Sequence, residues 1–367
     1  MKLAVIAVGH HDNNFPVMKR IAGEVDLTLV MHVARNPYRE SFLEISLDDV
    51  PFGFTDLRNE RPDLLPGRFW EYLADAPPFP LYLFRSPSHR ILDLRNQFYN
   101  QLFARWLRRG RFDLIHFNGV SGHQVPLYMG TPRIPKIHTI HDYDEHFGVR
   151  PRLSHSLFRT YVTRHARIIV QHGEALRRRV IELSGRPEES VVSLLNGANE
   201  TFRLFEPEDP PGEEFPTVLQ WGRIDRYKGV ELLLDAIPGV LREVPEARFI
   251  IGGAGRVDRD LSRWEKHPNV EIHNRYLGNE EIITFLHRSS LVAAPYLDAT
   301  QSAVALTAFE FGKPLVASRV GTFPELVRDG YNGRLIPPGD GQALRKALIE
   351  ILKDRDGLRR MQANVAK

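Results

Sequence analysis

Thr217-Val-Leu-Gln-Trp-Gly222-Arg223-Ile-Asp-Arg-Tyr-Lys228-Gly229-Val230-Glu-Leu-Leu-Leu-Asp-Ala-Ile237 contains, in one run, an apolar strand, a glycine turn carrying two cations, and the start of a helix. The same order recurs downstream. Arg248-Phe-Ile-Ile is followed by Gly252-Gly253-Ala254-Gly255, and Leu291–Ala294 is followed by a polar loop and the apolar run from Ala303. Short β-branched runs alternating with helical periodicity are the mark of stacked βαβ units on a parallel sheet. Further strands are predicted at Thr217–Trp221, Val270–His273 and Pro314–Ala317. Helices are predicted at Val230–Arg242, near Asp258–Trp264, and at Glu280–His287, Ala303–Phe311, Phe323–Val327 and Gly341–Leu352. Ligands of such a domain are expected where strand C-termini meet helix N-termini.

Working toward the N-terminus, Pro207-Glu-Asp-Pro-Pro-Gly212 is a Pro-rich stretch without apolar content and reads as a linker. The predicted division is residues 1–205, one Rossmann-like domain, a linker 206–212, and residues 213–367, a second Rossmann-like domain. In the first part strands are expected at Leu3–Val8, Leu27–His32, Asp113–Phe117, Lys136–Ile140, Arg167–Gln171 and Val191–Leu195. Helices are expected near Phe15–Gly23, His89–Arg109, Leu153–His165 and Glu174–Ser184. Phe52–Arg85, rich in Pro and aromatics, fits neither period and is read as a long excursion from the sheet that carries function. The fold class is therefore α/β, with two doubly wound domains in series and a cleft expected between them. No internal repeat is visible.

With 367 residues, 42% hydrophobic and 26% charged, the chain has an ordinary globular balance and the length of two domains. It has no cysteine, which excludes disulfides and thiolate metal sites. No stretch approaches the roughly 18 apolar residues of a membrane span, and MKLAVIAVGHHDN reads as a first strand rather than a signal peptide, so a cytoplasmic or peripheral protein is expected. Residues 1–200 hold 26 Lys+Arg against 22 Asp+Glu and twelve of the fifteen histidines; residues 201–367 hold 23 against 24. That mild basic bias suits an anionic ligand or membrane surface and is too weak for nucleic acid.

Three elements carry candidate chemistry. Arg223 and Lys228, with the amides at the helix start near Val230, make a concentrated positive site for a diphosphate, or a solvated basic turn. Gly252–Gly255 allows close backbone approach but lacks the dinucleotide spacing and the following acid, so a dehydrogenase is the least supported reading. Glu310, in the otherwise apolar helix that starts near Ser302, is costly to bury without a specific partner. Sugar hydroxyls would serve, as would a structural ion pair. The Ser302, Ala303 and Val304 amides suit phosphate or sugar oxygens.

Together, in this order and spacing, these stretches resemble the donor domain of the GT-B-fold retaining glycosyltransferases of family 4, the glycosyl transferases group 1. The pattern there is Gly-Arg…Lys-Gly, a glycine loop, two Glu separated by seven residues, and Gly-x-Pro-Glu. It is met here by Gly222–Gly229, Gly252–Gly255, Ser302–Glu310 and Gly321-Thr-Phe-Pro-Glu325, followed by Gly330-Tyr-Asn-Gly333. In the first part Asp113-Leu-Ile-His116, Ile140-His141-Asp142 and Leu195-Asn-Gly-Ala-Asn199 match more loosely. The resemblance implies a nucleoside-diphosphate sugar as co-substrate, with no cofactor and no metal. Arg223 and Lys228 would stabilise the leaving nucleotide. Glu310 would hold the ribose, and Gly222, Gly253, Ser302, Ala303 and Val304 would line the donor site. His141 would approach the anomeric carbon, or be a strand-end core histidine. Transfer would retain configuration, with the donor phosphate helping to deprotonate the acceptor.

Two departures stand out. Ser302 replaces the first Glu of the pair, which in the family usually contacts the transferred sugar; Asp298 is a carboxylate four residues upstream. After the first strand only Gly9 remains of a two-glycine loop. Acceptor-side candidates are Gly9, His10, Asn118, Asp142 and His146. The acceptor classes left open are a glycan, a lipid-linked glycan and a small hydroxylated molecule. A non-catalytic nucleotide- or glycan-binding subunit and a sugar-nucleotide epimerase are the alternatives. Relatives generally continue beyond Lys367 with a helix returning to the first domain, so a short or trimmed C-terminus is expected. Finally, Ile91, Leu94, Phe98, Leu102 and Trp106 recur at helical spacing beside Arg95, Arg105, Arg108 and Arg109. Such a stripe commonly packs on a sheet, and a basic amphipathic helix also suits anionic lipid.

Overall fold

A computed structural model of the protein describes residues 1–365 apart from 10, 35–44, 89, 91–92, 142, 144–152 and 257–260. It divides into two compact units, the second beginning at Asn196. In the first, the strands are β1 (Lys2–Ala7), β2 (Asp26–Val33), β3 (Gly53–Asp56), β4 (Leu81–Arg85), β5 (Leu114–Asn118), β6 (Lys136–Thr139), β7 (Ile168–Gln171) and β8 (Val191–Ser193). They form one sheet in the order β3-β4-β2-β1-β5-β6-β7-β8. Every pairing is parallel except β3 on β4.

The second unit holds β9 (Thr217–Trp221), β10 (Arg248–Gly252), β11 (Val270–His273), β12 (Leu291–Ala294), β13 (Leu315–Ser318) and β14 (Gly333–Ile336). All are parallel, in the order β11-β10-β9-β12-β13-β14. Helices cover both faces, so strand residues are apolar on both sides. Val218, Phe249, Leu291 and Val316 belong to one buried cluster, while Leu219, Ile250, Val292 and Leu315 belong to another. Chain order reverses between β9 and β12, and the loops leaving these two strands are the topological switch point.

Three expectations change. Phe52–Arg85 is not an excursion: it supplies β3, the helix Gly67–Leu73 and β4, and lengthens the sheet beyond β2. Its period is hidden because Leu81, Leu83 and Phe84 are buried between prolines and a charged end. Sequence alone also passes over β14 and the final helix Arg355–Val365, whose Leu358 is buried in the second core. The chain enters the second unit before the Pro-rich stretch, because Asn196–Phe205 packs along the helix Ala303–Glu310. Asn196 Nδ2 donates to Gln301 Oε1 (2.6 Å), Asn199 Nδ2 donates to Thr307 Oγ1 (3.0 Å), and Arg203 pairs with Glu310.

Candidate functional site

At the switch point the sequence-predicted donor residues converge. β9 ends at Trp221, and Gly222 takes a φ of 107°, which turns the chain through a region closed to most side chains. A Cβ there would lie 2.9 Å from Lys228 Nζ and 3.4 Å from Val304 Cγ2. The turn, its lysine and the first turn of the helix Ala303–Glu310 thus meet at one point. Lys228 Nζ donates to Tyr296 Oη (3.2 Å) and lies 5.0 Å from the centre of that ring. Burial opposes the ammonium charge, but the Tyr296 and Tyr227 phenols offset it, so its pKa sits above the ordinary lysine value and the group stays charged. Arg223 is exposed, pairs with Asp225, and donates through Nη2 to Tyr227 Oη (3.4 Å). Two cations, one shielded and one solvated, therefore flank the end of β9.

The glycines serve the loops themselves. A Cβ on Gly253 (φ 140°) would lie 1.9 Å from the Gly222 carbonyl oxygen. Gly222 N–H donates to Gly252 O and Ile224 N–H to Ala254 O, zipping the loops after β9 and β10 together. The loop after β12 is tied in as well, since Leu297 N–H donates to Tyr227 O (2.6 Å) and Pro295 O lies against Gly229. With Glu231 in its own first turn, the helix Val230–Glu243 presents a crowded start. The open helix start here is that of Ala303–Glu310. Ala303 is exposed, and among the described residues neither the Ala303 nor the Val304 amide has an acceptor.

Ser302 is buried and caps that helix, its Oγ accepting from Ala305 N–H (3.4 Å). Asp298 lies half-buried in the loop after β12. Glu310, at the far end of the helix, is held by Arg203: Nε donates to Oε1 and Nη2 to the Glu310 carbonyl (2.5 Å). Oε2 has no partner among the described residues. Arg203 also lies over the Phe311 ring and reaches Glu206, which accepts from His287 Nε2 (2.7 Å). Sequence reasoning passed over Tyr296 and Arg203. Tyr296 could have been noticed as an aromatic directly after a buried strand, whereas Arg203 lies 107 residues from its partner with no local signal.

In the first unit Gly9 (φ 72°), Asn118 and His141 lie just beyond or at the C-terminal ends of the adjacent strands β1, β5 and β6. Asn118 Nδ2 donates to Asn14 Oδ1 (2.7 Å), leaving its Oδ1 to accept from His141 Nε2 (2.6 Å). His141 is buried against His172, with ring centres 4.9 Å apart. Gln171, closing β7, is fully buried with neither amide atom partnered among the described residues. His10, Asp142 and His146 lie outside the described residues.

Two family models match the chain, one on each side of residues 203–214. Glycosyltransferase Family 4 matches residues 55–202, and Glycosyl transferases group 1 matches residues 215–354. The chain belongs to this glycosyltransferase family. Its members use nucleotide-sugar donors, and the strand-end cations and open helix start of the second unit fall within the group 1 match. Among curated relatives, a phosphatidyl-myo-inositol mannosyltransferase of Mycobacterium leprae is 28% identical over 68% of this chain and 67% of its own length. A glycogen synthase of Mycobacterium tuberculosis is 27% identical over 60% of this chain. The alignments span 55–67% of these relatives' lengths. Two solved structures share the fold. Sucrose-phosphate synthase from Thermosynechococcus elongatus has a TM-score of 0.69 at 16% identity, covering 100% of this chain and 93% of its own. The starch synthase IV catalytic domain of Arabidopsis thaliana has a TM-score of 0.70 at 14% identity, covering 100% and 95%. The fold is accordingly GT-B, with two α/β units.

Proposed function

We propose that the protein transfers a sugar from a nucleoside-diphosphate donor to a hydroxylated acceptor with retention of configuration, without a metal ion. The observation that carries this reading is the meeting of Lys228, Gly222 and the first turn of the helix Ala303–Glu310 at the end of β9. A pyrophosphate set there would receive the Ala303 and Val304 amides on one side and the ammonium of Lys228 on the other. Arg223, with its larger solvent access, would neutralise charge developing on the departing diphosphate, the electrostatic task a metal ion performs elsewhere. Glu310 would accept from the ribose hydroxyls through Oε2, and the donor phosphate would take the acceptor proton. In the first unit His141, held through Nε2 by Asn118, would line the acceptor side with Gly9 and Asn118.

For the acceptor, likeness to proteins named phosphatidyl-myo-inositol mannosyltransferases favours a lipid-linked hydroxyl. A cytoplasmic protein seated peripherally on an anionic membrane fits that choice. Among the described residues no helix is long and apolar enough to cross a membrane. The second reading, a nucleotide-binding subunit without turnover, draws on Ser302: its hydroxyl caps a helix where a sugar-contacting Glu is usual in the family.

A thermal-shift screen with nucleoside diphosphates and their sugars tests the donor site. A ligand at 100 times its Kd adds about 2.7 kcal/mol of stability. Lys228→Ala and Glu310→Gln should each remove most of the shift, and an undiminished shift in both sinks the assignment. Hydrolysis or transfer with the donor so identified separates enzyme from binding subunit.

A further inference from the structure

The helix Leu94–Arg109 lies against the first sheet by one face only. Phe103, Ala104 and Leu107 are buried in the core, with Tyr99 and Trp106 packed against its edge. Of the apolar stripe singled out in the sequence, Leu94, Phe98 and Leu102 face the other way, Trp106 stays with the core, and Ile91 lies outside the described residues. Leu94 is 84% exposed, Phe98 59% and Leu102 43%. Spaced by four residues, they form one line along the helix, which Arg105 and Arg109 continue at the next two turns. All five fall within an arc of about 80°.

The charge on this face is of one sign. The helix contains no Asp or Glu along its whole length. Arg95 is matched by Asp93 at its N-cap (2.8 Å), and Arg108 donates to the Gly130 carbonyl (2.5 Å). Arg105 and Arg109 are exposed, and neither has an acidic partner among the described residues. Three large apolar side chains standing in water beside two unneutralised guanidinium groups make a face that water solvates poorly and an anion attracts.

We propose that this helix face docks the protein on an anionic phospholipid surface. Leu94, Phe98 and Leu102 enter the headgroup–acyl boundary, and Arg105 and Arg109 lie at the phosphate level, their stems lying along the boundary while the guanidinium groups stay wet. An acidic protein or nucleic acid would satisfy the arginines and leave the apolar line unused; an apolar protein groove would leave the arginines unmatched. An anionic bilayer answers both. The docking face belongs to the first unit and does not involve the donor residues, so its failure would leave the donor reading untouched.

Sedimentation with vesicles tests it. The full chain should pellet with phosphatidylcholine vesicles containing a minority of phosphatidylglycerol, and stay in solution with pure phosphatidylcholine. Added salt should weaken the binding. Arg105→Gln and Arg109→Gln should each lower the partition coefficient about fivefold. The triple variant Leu94→Ser, Phe98→Ser, Leu102→Ser should lower it by at least about tenfold. Because these side chains are exposed, the variants should melt with the wild type and still bind nucleoside diphosphate. Equal binding to both vesicle types, or variants that bind as well as wild type, would overturn the proposal. So would a wild-type dimer that Phe98→Ser converts to monomer, since the face would then belong to a second copy of the chain.

Discussion

Glu310 shows how one side chain can carry two demands. In an apolar helix its carboxylate needs a partner, and Arg203 supplies one through Oε1. The same contact orients the group, because Nη2 also grips the Glu310 carbonyl and Phe311 supports the guanidinium from below. If Oε2 receives the ribose, Arg203 is a positioning residue. Arg203→Ala should weaken nucleoside diphosphate binding by about fivefold, the value of roughly one net hydrogen bond. It should also shrink the affinity gap between the ribo- and deoxyribonucleotide forms, measured by titration calorimetry. An undiminished gap would mean that the ion pair serves stability alone. Lys228 makes the opposite case: its main contact is a neutral phenol, so its charge is unspent until an anion arrives.

At the scale of elements, the loops after β9, β10 and β12 are welded backbone to backbone, and the glycines exist for that weld. Gly253→Ala must find room for a methyl 1.9 Å from the Gly222 carbonyl at a φ of 140°. It should cost more than about 1 kcal/mol in urea melts and weaken donor binding, because Gly222 sits beside Lys228. Ser302→Ala removes a long cap hydrogen bond and should cost about 0.5–1 kcal/mol. If Ser302 only caps, kcat/KM below the melting range should stay the same; a larger fall in kcat/KM would show the hydroxyl reading the sugar. The glycine motifs and cations were legible in sequence because they sit within a few residues of a strong strand signal. The β3–β4 pair was not, because short strands between prolines show their period only once paired with β2.

Across the whole molecule, the first unit carries a set of buried histidines. His32 and His138 are pushed down to about 3 and His116 to about 4, each mainly by burial, with a neighbouring histidine adding to it. His138 is fixed as a neutral ring, its Nε2 donating to the Gly119 carbonyl and its Nδ1 accepting from Tyr128. These rings stay neutral in the fold but take protons in the unfolded chain once pH falls below the ordinary 6.5. Stability should therefore be full above about pH 6.5 and fall toward pH 4, by up to about 1.4 kcal/mol per pH unit for each histidine. Calorimetry at descending pH should resolve the first unit melting ahead of the second, where buried histidines of this kind are lacking among the described residues. A pH-independent order of melting would count against it.

What the sequence by itself determined is local: a doubly wound second half, the strand-end position of Gly222, Arg223 and Lys228, and the helix bearing Glu310. Strand hydrophobicity, glycine at sharp turns and the family spacing all act over a few tens of residues, so they survive without coordinates. Tertiary structure alone decided what meets what. Arg203 reaches Glu310, Tyr296 receives Lys228, Asn196–Phe205 joins the second unit, and the line Leu94, Phe98, Leu102 faces water rather than the sheet. Helical periodicity defines a stripe but not its direction. That choice belongs to Phe103, Ala104 and Leu107, which bury more apolar surface against the first sheet and leave the other face outward.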